Sequence, residues 1–560
     1  MRRRFVKVDK SFFHYLESGS GFPVVLLHES PKSSFSHQPL IQFLSKKYKV
    51  YAIDTPGYGF SDPLDNKNYE ISDFAKAINK IILCLGLKKF ILYGNHTGAS
   101  IAIEYGKLFP KELTGLILES LPIFYPSEVK GIIKNFFPTL KVKKDGSHLI
   151  SLWSKVEDQF IWFPWYERHF KKMHHWPYPS SFEIHEYVID FLRAGDSYRR
   201  AYLSAFKYNS FETINKLKIP TKFLSIKTDI LFSHRLRLPK LKKNHCLISI
   251  TSSKERIKTI KNCIDFYKTD YSSKKEQEIF NEKNFLDIND GQIYYKILNN
   301  NNNSKPVLFL IHDLPGSSEE LTELMIELSK TRTVIGFDMP GVGNSSIKFP
   351  KNFTLKYFVE VFDILIDKLG IESYDIYGKG FGCHLALLFS KRANLRPRKI
   401  IIDRLKLLTK KEKDTLIILN KENIDIKSDG SHLLKVWRFI ANNAIYFPWY
   451  SKKGMILSHT KKEFNELKLN NIFMSIFNNH KTYPLVFNKI LSYEPVKYLD
   501  SLSNLTLVIK ESQNKKNTVD KNIKIHNNLN NFTISNFFNE KKLCSLIIKF
   551  LDTANLNLTK

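Results

Sequence analysis

Asp54-Thr55-Pro56-Gly57-Tyr58-Gly59 returns as Asp338-Met339-Pro340-Gly341-Val342-Gly343, 284 positions further along the chain. The same step carries His28-Glu29-Ser30-Pro31 onto His312-Asp313-Leu314-Pro315, and Tyr93-Gly94-Asn95-His96-Thr97-Gly98 onto Tyr377-Gly378-Lys379-Gly380-Phe381-Gly382. It also carries Asp145-Gly146-Ser147-His148-Leu149 onto Asp429-Gly430-Ser431-His432-Leu433, and Phe163-Pro164-Trp165-Tyr166 onto Phe447-Pro448-Trp449-Tyr450. A constant step through five motifs leaves no net gap, so the chain is a tandem duplication. The boundaries expected are a first domain at 1–270, a polar, charged linker at 271–284 and a second domain at 285–555.

Within the first half, Pro23–His28, Lys49–Asp54, Lys89–Tyr93, Leu113–Glu119, Lys222–Ile226 and Leu247–Ile250 are short apolar runs of the kind buried in parallel sheets. Helical periodicity follows several of them, as in Ile71–Gly86 and Thr97–Leu108. Strand–helix alternation predicts a mostly parallel, doubly wound α/β sheet in each half. The rhythm breaks over about 125–213, which holds Trp153, Trp162, Trp165 and Trp176 and reads as a helical cap insertion. Its counterpart falls at about 409–498.

Composition narrows the class. Apolar residues are 43% and charged residues 25% of the 560, which excludes a disordered or fibrous chain. No run of 18 apolar residues predicts a membrane span. MRRRFVKVDK leads into no apolar stretch, so no secretory signal is expected. Five scattered cysteines fit neither a disulfide framework nor a zinc site, and they suit a reducing cytoplasm. The net charge of +31 is spread over both halves, with no nucleic-acid-binding motif. It therefore reads as solvated surface lysine rather than a polyanion footprint. No cofactor and no metal are expected.

The turn after the first strand, the DxPGxGxS loop, the G-x-x-x-G strand-to-helix turn, the cap and the Ile219–Asp229 segment together resemble the α/β-hydrolase fold, in that family's order. The resemblance covers both halves. Within it, the first half is similar to a bacterial group with a GxHTG elbow and a DGxHL cap motif. The resemblance implies a nucleophile, usually Ser, at the centre of the elbow, an acid after a later strand and a His after the last strand. It further implies an oxyanion hole of backbone N–H groups, including that of the residue after the elbow.

The chemistry departs from the pattern. His96 holds the first elbow and Gly380 the second. The acid position is Asp229 in the first half and Gln513 or Asn514 in the second, and neither last-strand loop carries a His. No Ser–His–acid triad assembles in either register. The second copy, its elbow bare, separates structural features from functional ones. His28, His148 and the FPWY segment persist beside the bare elbow and read as structural. Residues confined to the first half are the site candidates: His96 and Asp229 as a catalytic pair, with Asn95, Thr97 and His234 around them. Glu29 joins them, although its counterpart Asp313 is also acidic. Arg193, Asp196 and Arg199 read as cap salt bridges or a polar-group site.

An imidazole with its ordinary titration near 6.5 is the natural base at neutral pH, so a base near 6–7 is expected. Two readings stand. One is a hydrolase or lyase acting on a small, mostly apolar molecule such as an ester or lactone in the first half, the second half being catalytically dead and packed on the first as an intramolecular pseudo-dimer. The other is a tandem pseudohydrolase that binds a small ligand or protein partner. Nucleic acid stands third.

Overall fold

The structure is a computed structural model and describes residues 1–65, 69–174, 178–270, 282–299, 305–391, 395–420, 424–447, 449–450, 455–456, 465–499, 502, 504–511, 532–537 and 540–553. The chain divides into two compact units. The first comprises Met1–Asn281 with Ile426–Leu434, and the second Glu282–Asp425 with Lys435–Lys560.

In the first unit, Arg2–Val8 (β1) and Ser11–Ser18 (β2) form an antiparallel hairpin. Pro23–Leu27 (β3), Lys49–Ile53 (β4), Phe90–Asn95 (β5), Leu113–Glu119 (β6), Thr221–Ile226 (β7) and His245–Ile250 (β8) follow. The sheet order is β1-β2-β4-β3-β5-β6-β7-β8, and from β4 to β8 every neighbouring pair is parallel. Every residue of β3 is buried, as a strand covered on both faces requires. The helices that cover it are Gln38–Leu44 (α1), Ile71–Cys84 (α2), Thr97–Leu108 (α3) and Ser253–Tyr267 (α9). Helix α2 shows how its sequence folds locally. Glu70 and Asp73 close a capping box at its start, and Ile71, Phe74, Ala75, Ile78, Ile81 and Ile82 form its buried stripe. On the other face, Ile260, Cys263, Ile264 and Tyr267 of α9 join Val24, Leu26, Val50 and Ile91 in one core cluster.

Between β6 and β7 the chain leaves the sheet to form the cap: Pro126–Asn135 (α4), Ser147–Ile161 (α5), Ser181–Ala194 (α6), Arg199–Lys207 (α7) and Ser210–Lys216 (α8). Helix α5 buries Leu149, Leu152, Trp153 and Val156 along one face.

The second unit repeats the plan. Lys283–Ile288 (β9), Gly291–Leu298 (β10), Val307–Ile311 (β11), Val334–Phe337 (β12), Ser346–Ile347 (β13), Tyr374–Lys379 (β14) and Lys399–Asp403 (β15) precede its cap segment. Tyr446–Phe447 (β16) and Met455–Ile456 (β17) pair with each other, and Leu505–Glu511 (β18) and Phe532–Phe537 (β19) complete the main sheet. Its order is β13-β10-β12-β11-β14-β15-β18-β19, with β9 on β10. The linker expected at 271–284 ends earlier than its reading, because Lys283 and Asn284 already pair with Lys296 and Tyr295. Residues 271–281 lie outside the described residues, as do Gln513 and Asn514. Among the described residues, no helix is long and apolar enough to cross a membrane.

Candidate active site

Strand β5 ends at Asn95 and α3 begins at Thr97, leaving one residue to reverse the chain. That residue, His96, takes φ 47° and ψ −117°, a region side-chain-bearing residues rarely occupy. Its N–H donates to Glu119 O at 3.0 Å, and its carbonyl accepts from the N–H groups of Ala99 and Ser100. The glycines permit the turn. A Cβ on Gly94 would lie 2.2 Å from Gly98 O, and one on Gly98 would lie 2.3 Å from Leu27 O. The turn thus presents the His96 imidazole at the carboxyl edge of the sheet, with 21% of the side chain exposed.

Two carboxylates meet the ring. Asp229 follows β7, where its Oδ1 accepts the Leu231 N–H at 2.8 Å. Its Oδ2 accepts from His96 Nε2 at 2.8 Å. Glu29, just past β3, places Oε2 3.8 Å from the same nitrogen, and its Oε1 holds Lys32 Nζ at 2.6 Å. Asn95 Nδ2 donates to Glu29 Oε2 at 3.4 Å. Burial works against a charged imidazole here, but Asp229, through charge and hydrogen bond, and then Glu29 outweigh it and push His96 up to about 9. Burial likewise opposes ionisation of Glu29, yet Lys32 and His96 hold it down to about 2. Asp229 is also held below its ordinary value, burial being overcome by His96.

His96 is therefore an imidazolium at neutral pH. This corrects the expectation of a base near 6–7: the carboxylates come from separate loops, and both favour the proton. The other ring nitrogen, Nδ1, has no partner among the described residues and is not sealed from solvent. No described residue accepts from the Thr97 N–H. Thr97 itself is buried.

His234 is used differently. Its Nδ1 accepts the Ile123 N–H at 3.0 Å and its ring meets Phe124 edge-on at 4.9 Å. Burial, then Arg237, lowers it to about 4, so it is a neutral acceptor that fixes the chain leaving β6. It borders a cavity of about 20 Å³ with Ser120 and Ser225, room for about one water.

The features shared by both copies make the same local bonds. His28 Nε2 accepts the Thr55 N–H at 2.9 Å, and His312 Nε2 accepts that of Met339 at 3.0 Å. His148 Nδ1 accepts from Lys143 N, and His432 Nδ1 from Lys427 N, both at 3.2 Å. Arg193 pairs with Asp190 at 2.8 Å, and Asp190 also accepts from Ser33 Oγ. Asp196 accepts the Leu140 N–H, and Arg199 lies 3.4 Å from it.

The second elbow keeps the turn without a side chain at its centre. Gly380 takes φ 56°. The Asp313 carboxylate folds into the seat, its Oδ1 accepting from Phe381 N–H at 2.8 Å and Leu314 N–H at 2.7 Å. Lys406 Nζ holds its other oxygen at 2.8 Å. A Cβ added at Gly380 would lie 2.2 Å from that carboxylate. Lys32, absent from the sequence reading, was signalled by its i+3 spacing from Glu29.

A family model described as alpha/beta hydrolase fold matches residues 23–236 and 306–408, more than half of the chain. Haloalkane dehalogenase 2 of Mycobacterium tuberculosis is 26% identical over 125 residues, covering 22% of this chain and 43% of the relative. Epoxide hydrolase 1 of Caenorhabditis elegans is 30% identical over 122 residues, 21% of this chain and 30% of the relative. A pimeloyl-acyl-carrier protein methyl ester esterase of Wigglesworthia glossinidia brevipalpis is 33% identical over 154 residues, 26% of this chain and 56% of the relative. The chain thus spans less than two thirds of the length of each of these relatives.

Proposed function

The chain belongs to the alpha/beta hydrolase fold family, and on that premise we propose that its first unit hydrolyses a small ester or lactone, with His96 standing at the elbow in place of serine. One observation carries this reading: His96 Nε2 is tied to Asp229 at 2.8 Å while Nδ1 stays open to solvent. In the proposed reaction, unprotonated Nδ1 takes a proton from water as the water oxygen attacks the carbonyl carbon. The Thr97 and Glu29 N–H groups face the oxygen anion that develops. Asp229 and Glu29 stabilise the imidazolium, which then returns its proton to the leaving alkoxide. The products are an acid and an alcohol, and no other reactant is needed.

The second unit is read as catalytically dead. That rests on the bare Gly380 and on the Asp313 carboxylate filling the seat. The compartment assigned is a reducing cytoplasm, which suits five cysteines scattered along the sequence.

The test is turnover of an aryl-ester and lactone panel by wild type and His96→Ala. A lost general base costs about 10²–10⁴-fold. With the base titrating at about 9, kcat/KM climbs roughly tenfold per pH unit between 6 and 9 and then levels. Turnover unchanged in His96→Ala, or flat across that range, would sink the proposal.

The second reading, a ligand-binding pseudohydrolase, is favoured by the same charge state: at pH 7 only about one His96 in a hundred is unprotonated. A folded wild type without turnover at pH 9 would favour it.

A further inference from the structure

Lys155 lies on cap helix α5 of the first unit, 8% exposed, on the face that also buries Leu152 and Val156. Its amine stands in a cage of rings. Nζ is 4.6 Å from the Phe191 centroid, 4.8 Å from that of Tyr198 and 5.5 Å from that of Trp165. The one polar contact is with the Tyr198 hydroxyl at 3.4 Å. Among the described residues no carboxylate pairs with it, in contrast to Lys32 or Lys406.

Packing does not require a lysine here. In the second copy the same position is Phe439, which meets Trp449, the counterpart of Trp165, edge-on at 5.9 Å. An aromatic side chain fills the site in one copy, while the other keeps a primary amine that is costly to bury. The asymmetry parallels the elbow, where chemistry also remains in the first unit.

We infer that Lys155 is a covalent binding site for a small apolar aldehyde, its amine adding to the carbonyl carbon between the rings of Trp165, Phe191 and Tyr198. The rings around the amine are apolar, the character an apolar substituent requires. The product class follows from the missing charges: a carbamate from carbon dioxide would put an anion in a cage without a cation, whereas an imine can remain neutral. The Nζ lone pair forms the C–N bond and the carbonyl π pair moves to oxygen. The adduct's ammonium then passes a proton to that oxygen, the Tyr198 O–H being donated to Pro138 O while its oxygen accepts from Nζ. Loss of water then leaves the imine, with no oxidant or reductant consumed. Burial lowers the ammonium to about 7, so near neutrality about half of the amine carries a free lone pair. An exposed lysine near 10.4 has about one part in 2,500 free. The inference is independent of His96 and stands or falls without it.

The experiment is reductive alkylation of the full chain at pH 7 with limiting butanal and cyanoborohydride, read lysine by lysine by peptide mass spectrometry. Lys155 should be alkylated at least tenfold faster than the median exposed lysine, with half-maximal rate near pH 7. Lys155→Met, which the second copy's Phe439 indicates will pack, should abolish this labelling. Labelling of Lys155 no faster than that of exposed lysines, or rising only above pH 9 with them, would mean a structural ammonium held by ring faces and would overturn the site. Fast labelling by formaldehyde with none by butanal would overturn the apolar class.

Discussion

Asp229→Asn keeps the shape of the side chain and an oxygen to accept from His96, but removes the negative charge 2.8 Å from Nε2. In wild type the imidazole titrates at about 9 against an ordinary 6.5, because Asp229 and the more distant Glu29 overcome burial. Deleting an opposite charge at this range lowers a pKa by roughly 1–3 units, or about 1.4–4 kcal/mol of imidazolium stabilisation. Glu29, 3.8 Å away and itself held by Lys32, covers part of the loss. The assay is an NMR titration of ¹⁵N-histidine-labelled protein between pH 5 and 10.5, with His96→Gln assigning the resonance. The midpoint should stand near 9 in wild type and drop by that amount in the variant. The same shift has a stability consequence. The folded-state value lies above the unfolded one, so the stabilisation is complete below pH 6.5 and lost as pH rises through 9. In wild type that loss is about 3 kcal/mol, and in Asp229→Asn it is smaller. A wild-type His96 titrating at 6–7, or a midpoint that Asp229→Asn leaves in place, would refute the coupling.

The turn itself is testable through Gly98→Ala. The new methyl would meet Leu27 O at 2.3 Å, so the first unit should lose roughly 3 kcal/mol or more in thermal unfolding. Gly86→Ala, at φ 68° with nothing within 4 Å, should cost only about 1–2 kcal/mol. In the second unit, Asp313→Ala leaves Lys406 and the Phe381 N–H without their shared carboxylate. Its melting temperature should fall and be partly restored by millimolar formate, which leaves wild type unchanged; no response in the variant would argue against the filled seat. Turnover by the first unit should be the same in Asp313→Ala as in wild type.

The duplication made the sheet legible. Leu113–Glu119 and Thr97–Leu108 fall where their apolar patterns put them, because parallel strands buried on both faces leave continuous hydrophobic runs. The N-terminal hairpin escaped that reading. Its Arg2, Arg3, Arg4 and Lys7 look like basic surface, and its turn at Asp9-Lys10 lacks the usual glycine. At the site, the elbow register located His96 and the strand after the cap located Asp229. The charge state was beyond the register, because it sums fields from two loops that meet only in three dimensions. The same holds for the acidic pair Glu29 and Asp313. One methylene separates them, yet the longer side chain reaches Lys32 while the shorter one turns onto its own copy's Phe381 N–H.

The elbow's backbone has a life apart from its side chain. Gly380, with nothing to present, bends at φ 56° much as His96 bends at 47°, and a Cβ on Gly382 would meet Ile311 O at 2.5 Å, as one on Gly98 would meet Leu27 O at 2.3 Å. The bend is thus kept by glycine contacts beneath the sheet edge rather than by any reacting group. For protein engineering this makes the second unit a socket with a stopper in it. Asp313→Gly pulls the stopper, and Gly380→Ser then fits a hydroxyl onto a turn already bent to receive it. Either change alone should only destabilise the unit, Asp313→Gly by removing the carboxylate shared by Lys406 and the Phe381 N–H, and Gly380→Ser by setting its Cβ 2.2 Å from that carboxylate.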